Sequence, residues 1–171
     1  QILGSNVSAD LCGFSFGGVC FAHLAAYYPQ VARRLVLVGC GGLDTPHGHV
    51  ALQRVSGLRG AEREAVLKSN LLGLMLHHPD SADALAVHML LPNAKRARLL
   101  AADMVLPDKL LRILPEVRCS VGAIWGEFDR PHPDPAAQKV ALHSVCPAAP
   151  FEVIEGAGHW AMYERAESFE A

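Results

Sequence analysis

The residues best suited to chemistry lie at positions 13–18, which read GFSFGG. The segment carries the pattern G-x-S-x-G between a predicted strand and a predicted helix, where a serine is held on a sharp turn as a nucleophile. Glycines two residues to either side of Ser15 avoid collisions across such a strained turn. The helix start points its amides and its positive dipole end at the site, so the Phe16 amide is the predicted oxyanion donor. The pattern predicts attack by Ser15 on a carbonyl carbon; the alternative is a glycine-rich turn with an unreactive serine.

A carboxylate follows another predicted strand, at positions 126–129, which read GEFD. Asp129 would lie on a loop at the carboxyl edge of the sheet, where α/β sites form. A serine–histidine pair needs such a group to hold the histidine tautomer and to stabilise the imidazolium. We therefore predict Asp129 as the acid, with Glu127, Asp134 and Asp44 as alternatives. A lone loop aspartate is otherwise a solvated turn residue or a helix cap.

His159 lies in the glycine-rich segment 156–160, which reads GAGHW, after the last predicted strand. From there its ring can reach back to a serine, and the chain order Ser15, Asp129, His159 fits a catalytic triad. The other histidines lack any spacing that builds a metal site with a nearby carboxylate. We expect them at the surface or in a lid, with metal binding as the weaker alternative, so no metal and no cofactor is predicted; they are His23, His47, His49, His77, His78, His88, His132 and His143.

The elements that must position these residues follow an α/β pattern at both ends of the chain. Residues 9–13, 35–40, 120–125 and 151–155 are short apolar runs, typical of buried parallel strands. Residues 16–28 and 135–145 have helical spacing, and residues 160–171 resemble the start of a helix. Strand, helix and strand in this order predict a right-handed βαβ unit at the start of the chain.

The middle of the chain is predicted to be helical. Residues 61–76, 81–91 and 94–106 have helical periodicity separated by HHPD and LPN breakers, and Ser81 is the predicted N-cap of the second helix. The segment 43–118 therefore forms an insertion between two strands of the sheet. Its apolar side chains predict a substrate cavity, against the alternative of ordinary helix packing; they include Leu71, Leu72, Met75 and Met89.

Composition excludes several classes of protein. A formal net charge of −2 argues against nucleic-acid binding, and no apolar run of the length of a membrane span occurs. Five scattered cysteines without a CxxC pair favour a reducing compartment, so a cytoplasmic location is expected, with all five as small buried hydrophobes. The expected partner is a small-molecule substrate, with a homo-oligomer of the full-length protein as a further expectation.

In its order of elements and motifs the chain resembles the α/β-hydrolase superfamily, from the strand before Ser15 to the His159 loop. The resemblance implies an α/β fold of parallel strands with flanking helices, divided into 1–42 with the nucleophile, a lid at 43–118, and 119–171 with the acid and histidine. The family's N-terminal half, with a second oxyanion donor, has no counterpart here, because residues 1–4 resemble the helix before the fifth strand. We therefore expect a fragment that is inactive and marginally stable in isolation.

A finer resemblance is to meta-cleavage product hydrolases, which cleave a carbon–carbon bond in vinylogous 1,5-diketones. Residues 158–164, which read GHWAMYE, and then Phe169 are similar to their histidine region. The resemblance implies that Trp160 lines the substrate pocket and that a lid arginine, Arg96 or Arg98, binds the substrate carboxylate. The family usually has Asn before the nucleophile, whereas this chain has Phe14, which would suit an apolar ester better.

Three hypotheses of function follow. The first is a serine hydrolase acting on a small carbonyl compound, in particular a carbon–carbon bond hydrolase of the meta-cleavage type. The second is a carboxylesterase. The third, from another class, is a protein that binds small molecules on the hydrolase fold without catalysis.

Overall fold

The computed structural model describes residues 7–96 and 101–171, and the side chains of residues 94, 95, 101 and 102 are left aside. The strands are β1 (Ala9–Phe14), β2 (Ala32–Val38), β3 (Ser120–Gly126) and β4 (Phe151–Ile154). The helices are α1 (Phe16–Tyr27), α2 (Gly60–Leu74), α3 (Ala84–Arg96), α4 (Ala101–Val105), α5 (Lys109–Ile113), α6 (Pro135–Val145), α7 (Ala161–Glu164) and α8 (Ala166–Glu170). Short 3-10 turns lie at Pro29–Val31, Pro79–Ser81 and Leu114–Glu116.

The four strands form one sheet in the order β1-β2-β3-β4. β1 pairs in parallel with β2, and β2 in parallel with β3. The connection from β1 to β2 runs through α1, so the predicted βαβ unit is present. With its flanking helices the sheet gives the predicted α/β fold class.

The described residues form two compact units. The sheet unit comprises residues 7–46, 101–125 and 134–153, and the helical unit comprises residues 47–96, 126–133 and 154–171. Residues 101–118, assigned from the sequence to the lid insertion, thus group with the sheet. The chain enters the helical unit at Gly126 and again at Ile154, so the loops after β3 and β4 belong to that unit.

Each unit has its own core. In the sheet unit, Leu35, Leu37 and Trp125 are fully buried, and the Trp125 ring stacks on Phe151 with centroids 5.2 Å apart. In the helical unit Leu71, Leu76, Ala82 and Ala86 form a separate buried cluster, against which Leu72 and Met75 pack. Leu71, Leu72 and Met75 therefore serve ordinary helix packing, and Met89 is 38% exposed. Within the described residues no helix is both long and apolar enough to cross a membrane.

Several local expectations are corrected. Ser81 lies in a 3-10 turn, and the residue before α3 is Asp83, whose Oδ1 accepts the Ala86 amide at 2.8 Å. α3 continues past the predicted break and contains Pro92 within the helix. At the end of the chain, Arg165 (φ −139°, ψ 54°) separates two short helices, where one helix was predicted.

The expectation that all five cysteines are buried is also corrected. Cys40 is buried, whereas Cys12 and Cys20 are exposed and Cys119 and Cys146 are half-buried. Partial loss of solvent around the sulfur raises the pKa of the Cys12, Cys119 and Cys146 thiols.

The contact between α1 and β1 requires glycine at two positions. A Cβ at Gly13 would stand 2.4 Å from the Gly18 Cα, and a Cβ at Gly18 would stand 2.2 Å from the Cys40 Sγ and 2.7 Å from the Gly13 carbonyl oxygen. A Cβ at Gly17, by contrast, would meet nothing within 4 Å among the described residues. The steric need predicted for the glycines around Ser15 is therefore visible at Gly13 and not at Gly17.

This difference gives a matched pair of variants. Gly13→Ala should lower the free energy of unfolding by about 1–3 kcal/mol, because the backbones of β1 and α1 must move apart. Gly17→Ala should leave it unchanged or raise it by up to about 1 kcal/mol, because alanine is the better helix former. Urea unfolding of both variants beside the parent measures the difference, and equal losses would show that the Gly13 contact does not limit packing.

Candidate active site

Ser15 lies between the end of β1 and the start of α1, in a conformation that L-residues rarely adopt. Its backbone has φ 51° and ψ −123°. Its amide donates to the Val38 carbonyl oxygen at 2.8 Å, and its own carbonyl oxygen accepts the Gly18 amide at 3.1 Å. A residue held in such a region costs about 1–3 kcal/mol and persists only when its surroundings fix it. The strained turn that the sequence pattern predicts is present.

The residues next to Ser15 lie at element ends. Phe16 is the first residue of α1. Its amide is therefore one of the N–H groups at a helix start that do not donate to a carbonyl of the same helix. Phe14 is the last residue of β1, pairs in register with Val38 and is half-buried. The predicted oxyanion donor thus lies at a helix start, the location that its role requires.

Asp129 and His159 form a buried pair within the helical unit. The distance between Asp129 Oδ2 and His159 Nδ1 is 2.8 Å. Asp129 is 0% exposed and His159 is 3% exposed. The predicted hydrogen bond between these two residues is present, and it leaves Nε2 as the nitrogen that can exchange protons with another group.

Hydrogen bonds and one close approach of two backbones fix the two loops that carry this pair. The Phe128 amide donates to the Ala157 carbonyl oxygen at 2.8 Å, and the Gly156 amide donates to Glu127 Oε2 at 2.9 Å. A Cβ at Gly126 would stand 2.0 Å from the Gly158 carbonyl oxygen, so only glycine allows the loops to approach this closely. The acid and the histidine therefore have little freedom to separate.

His132 corrects the expectation that this histidine lies at the surface or in a lid. It is 5% exposed, and its amide donates to Asp129 Oδ1 at 2.9 Å. Its ring nitrogen Nδ1 stands 3.3 Å from the same oxygen, and its ring centroid is 5.5 Å from that of His159. The Asp129 carboxylate is thus bracketed by two histidines. The sequence shows only the i, i+3 spacing of Asp129 and His132, which by itself is too common to single His132 out.

The pKa of Asp129 reflects two opposing effects. Burial alone would raise the pKa of this carboxyl, but its interactions with His132 and His159 outweigh burial and lower the pKa below the ordinary value. Asp129 is therefore an anion at neutral pH, the state that holds a neighbouring imidazole in one tautomer.

Glu164 is a residue of the site region that the sequence did not reveal. Its buried carboxylate accepts the amides of His77 at 2.9 and 3.0 Å, of His78 at 2.8 Å and of Gly158 at 2.6 Å. One carboxylate thus joins α7, the segment after α2 and the residue before His159. The sequence showed Glu164 only as the last residue of the GHWAMYE segment, and that says nothing of partners 86 and 87 positions away.

Two of the three competing acids have other structural roles. Glu127 accepts the Gly156 amide, and Asp134 caps α6 by accepting the Ala137 amide at 2.9 Å. Asp44 is exposed at φ 57°, in the sheet unit. Neither Glu127 nor Asp134 takes the place of Asp129 as the hydrogen-bond partner of His159 Nδ1.

The predicted substrate residues have different outcomes. The Trp160 amide donates to the Met75 carbonyl oxygen at 2.8 Å, and its ring packs on the core of the helical unit with Tyr163 5.6 Å away between centroids. Arg96 is exposed at the end of α3. Arg98 lies outside the described residues.

Comparison with known proteins identifies the family. The model of the alpha/beta hydrolase family matches residues 2–171. The chain belongs to this family. The order of strand, serine turn, helices, acid loop and histidine loop in this alpha/beta hydrolase therefore agrees with the resemblance drawn from its sequence.

The proteins to which this alpha/beta hydrolase is similar include two hydrolases and an esterase. It is 30% identical to a 2-hydroxy-6-oxononadienedioate/2-hydroxy-6-oxononatrienedioate hydrolase of Paraburkholderia phymatum, over 94% of this chain and 59% of that protein. It superposes on the meta-cleavage product hydrolase CumD of Pseudomonas fluorescens with a TM-score of 0.63 at 18% identity, over 95% of this chain and 61% of the other. An esterase of Rhodococcus sp. gives a TM-score of 0.68 at 22% identity, over 96% and 62%. The chain thus spans about 60% of the length of these relatives.

Removal of the Glu164 carboxylate should destabilise the alpha/beta hydrolase chain. Glu164→Ala leaves the half-buried amides of His77 and His78 and the buried amide of Gly158 without this acceptor, and the loss of an acceptor for a buried amide costs about 1–3 kcal/mol. We expect a loss of at least about 3 kcal/mol in urea unfolding. Glu167→Ala, at an exposed glutamate of α8, is the matched control and should change stability by less than about 0.5 kcal/mol. Similar results for the two variants would contradict the role given to Glu164.

The lowered pKa of Asp129 predicts how stability depends on pH. In the unfolded chain Asp129 takes up its proton at an ordinary pKa of about 3.9, whereas the folded protein takes it up only at lower pH. The ionised carboxylate therefore stabilises the fold above about pH 4, and this contribution is lost as the pH falls through the folded pKa. The difference in unfolding free energy between the parent and Asp129→Asn should shrink from pH 6 to pH 3, and a constant difference would contradict the prediction.

Proposed function

We propose that the protein is a serine hydrolase that acts on the carbonyl group of a small molecule, with Ser15, Asp129 and His159 as its catalytic triad. The observation that carries the proposal is the buried contact of His159 Nδ1 with Asp129 Oδ2, at 2.8 Å. The strained backbone of Ser15 at a helix start supports it independently. Membership of the alpha/beta hydrolase family agrees with the reaction class.

In the proposed reaction His159 Nε2 removes the hydroxyl proton of Ser15 as the oxygen attacks the carbonyl carbon. Asp129 keeps the Nδ1 proton in place and stabilises the imidazolium. The Phe16 amide donates to the oxygen that becomes negative, and His159 then gives its proton to the leaving group. Water, activated by the same histidine, releases the acid product and regenerates Ser15.

We propose a vinylogous 1,5-diketone as the substrate class, so that the leaving group is carbon. The relative from Paraburkholderia phymatum, a hydrolase of 2-hydroxy-6-oxononadienedioate, supports this choice. Such a substrate must take up a proton on carbon before the bond can break, because the leaving carbanion is otherwise too basic. The segment 43–118 is proposed to act as a lid over the substrate, with Trp160 and either Arg96 or Arg98 as substrate contacts.

A carboxylesterase is the second candidate. Phe14, directly before the nucleophile, supplies an apolar ring and no hydrogen-bond donor or acceptor from its side chain, which favours an apolar ester over a polar diketone. Rates with a p-nitrophenyl ester and with a meta-cleavage diketone, each as kcat/KM on the full-length protein, distinguish the two substrates. Phe14→Asn should then raise the ratio of diketone to ester activity if Phe14 sets the preference.

Ser15→Ala tests the proposal itself. Loss of a triad nucleophile costs on the order of a million-fold in kcat, so the variant of the full-length protein should show no turnover above background while substrate still binds. Ser144→Ala, at an exposed serine of α6, is the matched control and should keep full activity. A Ser15→Ala variant that keeps a tenth of the activity would exclude Ser15 as the nucleophile.

A further inference from the structure

His132 supplies a buried nitrogen that the proposed hydrolysis does not use. Its Nδ1 has no hydrogen-bond partner among the described residues, although Asp129 Oδ1 stands 3.3 Å away. A buried nitrogen without a partner costs about 1–3 kcal/mol. The amide of the same residue already donates to Oδ1, so the ring is not needed to hold the carboxylate. The ring therefore directs a nitrogen toward Asp129 without completing a hydrogen bond to it.

Together with its neighbours this nitrogen makes a metal-ligand set. One ligand atom each from Asp129, His132 and His159 lie within 4.8 Å of one another, and all three residues are buried. Two imidazole nitrogens and one carboxylate oxygen are ligands that Zn²⁺ accepts, with a fourth position left for water. Tetrahedral bonds of about 2.0–2.1 Å place the ligand atoms roughly 3.3 Å apart, so only small rotations of the side chains are required.

We propose that Asp129, His132 and His159 bind a divalent transition-metal cation such as Zn²⁺, and that the bound cation inhibits the enzyme. The inhibitory part rests on the proposed function. Coordination by Nδ1 of His159 displaces its proton, which then resides on Nε2. In that tautomer Nε2 is a donor and cannot accept the Ser15 proton. The same cation binds the Asp129 carboxylate, which then no longer orients His159. Ser15 therefore loses its base and the carboxylate that supports that base.

Binding is tested directly on the full-length protein, freed of metal with a chelator. Titration calorimetry with Zn²⁺, and visible absorption with Co²⁺ as a spectroscopic substitute, report affinity and coordination geometry. We expect one site with the absorption of a tetrahedral Co²⁺ complex. His132→Leu removes the ring nitrogen but keeps the amide that holds Asp129, and it should weaken this site at least about a hundred-fold, since even an outer partner of a ligand contributes 10–100-fold.

His88→Leu is the matched control, because it removes an exposed imidazole that lies outside the three-residue cluster. It should leave the tight site unchanged, which separates that site from weak binding by surface histidines. His132→Gln serves as the second variant if leucine impairs folding, which circular dichroism detects. The proposal is overturned if the parent has no site tighter than those that remain in His132→Leu or His132→Gln, or if His88→Leu loses the tight site equally.

Inhibition is measured as the fraction of ester or diketone turnover left at each Zn²⁺ concentration, relative to the same variant without metal. The parent and His88→Leu should lose activity as the tight site fills, and His132→Leu should need at least about a hundred-fold more Zn²⁺. A protein that binds Zn²⁺ but turns over neither substrate would refute the proposed function and leave the metal site standing. A protein that turns over substrate and keeps full activity with the site filled would refute the inhibition.

Discussion

The buried carboxylate of Asp129 is the constraint on which the site depends. A carboxylate with no exposed surface must be compensated, because an unpaired buried ion costs several kcal/mol. Compensation comes from the His159 ring and from the His132 amide, at 2.8 and 2.9 Å. These donors lie on two loops far apart in the chain, so the loops must be held together. The contacts of Phe128 and of Gly126 with the histidine loop meet that requirement through backbone atoms.

Asp129 and Glu164 show how the donor decides what a buried carboxylate can do. Glu164 accepts backbone amides from His77, His78 and Gly158, none of which can release a proton at physiological pH. It is therefore a structural anchor. Asp129 is hydrogen-bonded to the imidazole of His159, a side chain that can act as an acid or a base. Two carboxylates of similar burial in one unit thus have different chemistry, and the difference lies in their partners.

The parts of this site that follow from motifs and element order could be predicted from the sequence, and the contacts set by tertiary packing could not. Ser15 and its strained turn follow from glycine spacing between a strand and a helix, and the pairing of Asp129 with His159 follows from loops after successive strands. Glu164 and His132 escaped prediction because their roles depend on partners brought close by tertiary packing. The N-cap of α3 moved from Ser81 to Asp83 for a local reason, since the 3-10 turn at Pro79–Ser81 precedes the helix. Pro92 did not end α3, which continues to Arg96 against the low helix propensity of proline.

Hydrogen bonds between backbone atoms hold much of the site in place, and this leaves some side chains available for chemistry. Ser15 is held by its own amide and carbonyl, and the loops that carry the acid and the histidine are joined by amide–carbonyl bonds. The side chains of Ser15 and His132 can therefore change without loss of the hydrogen bonds that their backbones make. His132 illustrates the consequence, since its amide completes the Asp129 environment whatever the side chain is. An imidazole at position 132 adds a nitrogen ligand to a carboxylate and a histidine that the fold already holds in place. The proposed metal site therefore requires one additional side chain and no change of fold.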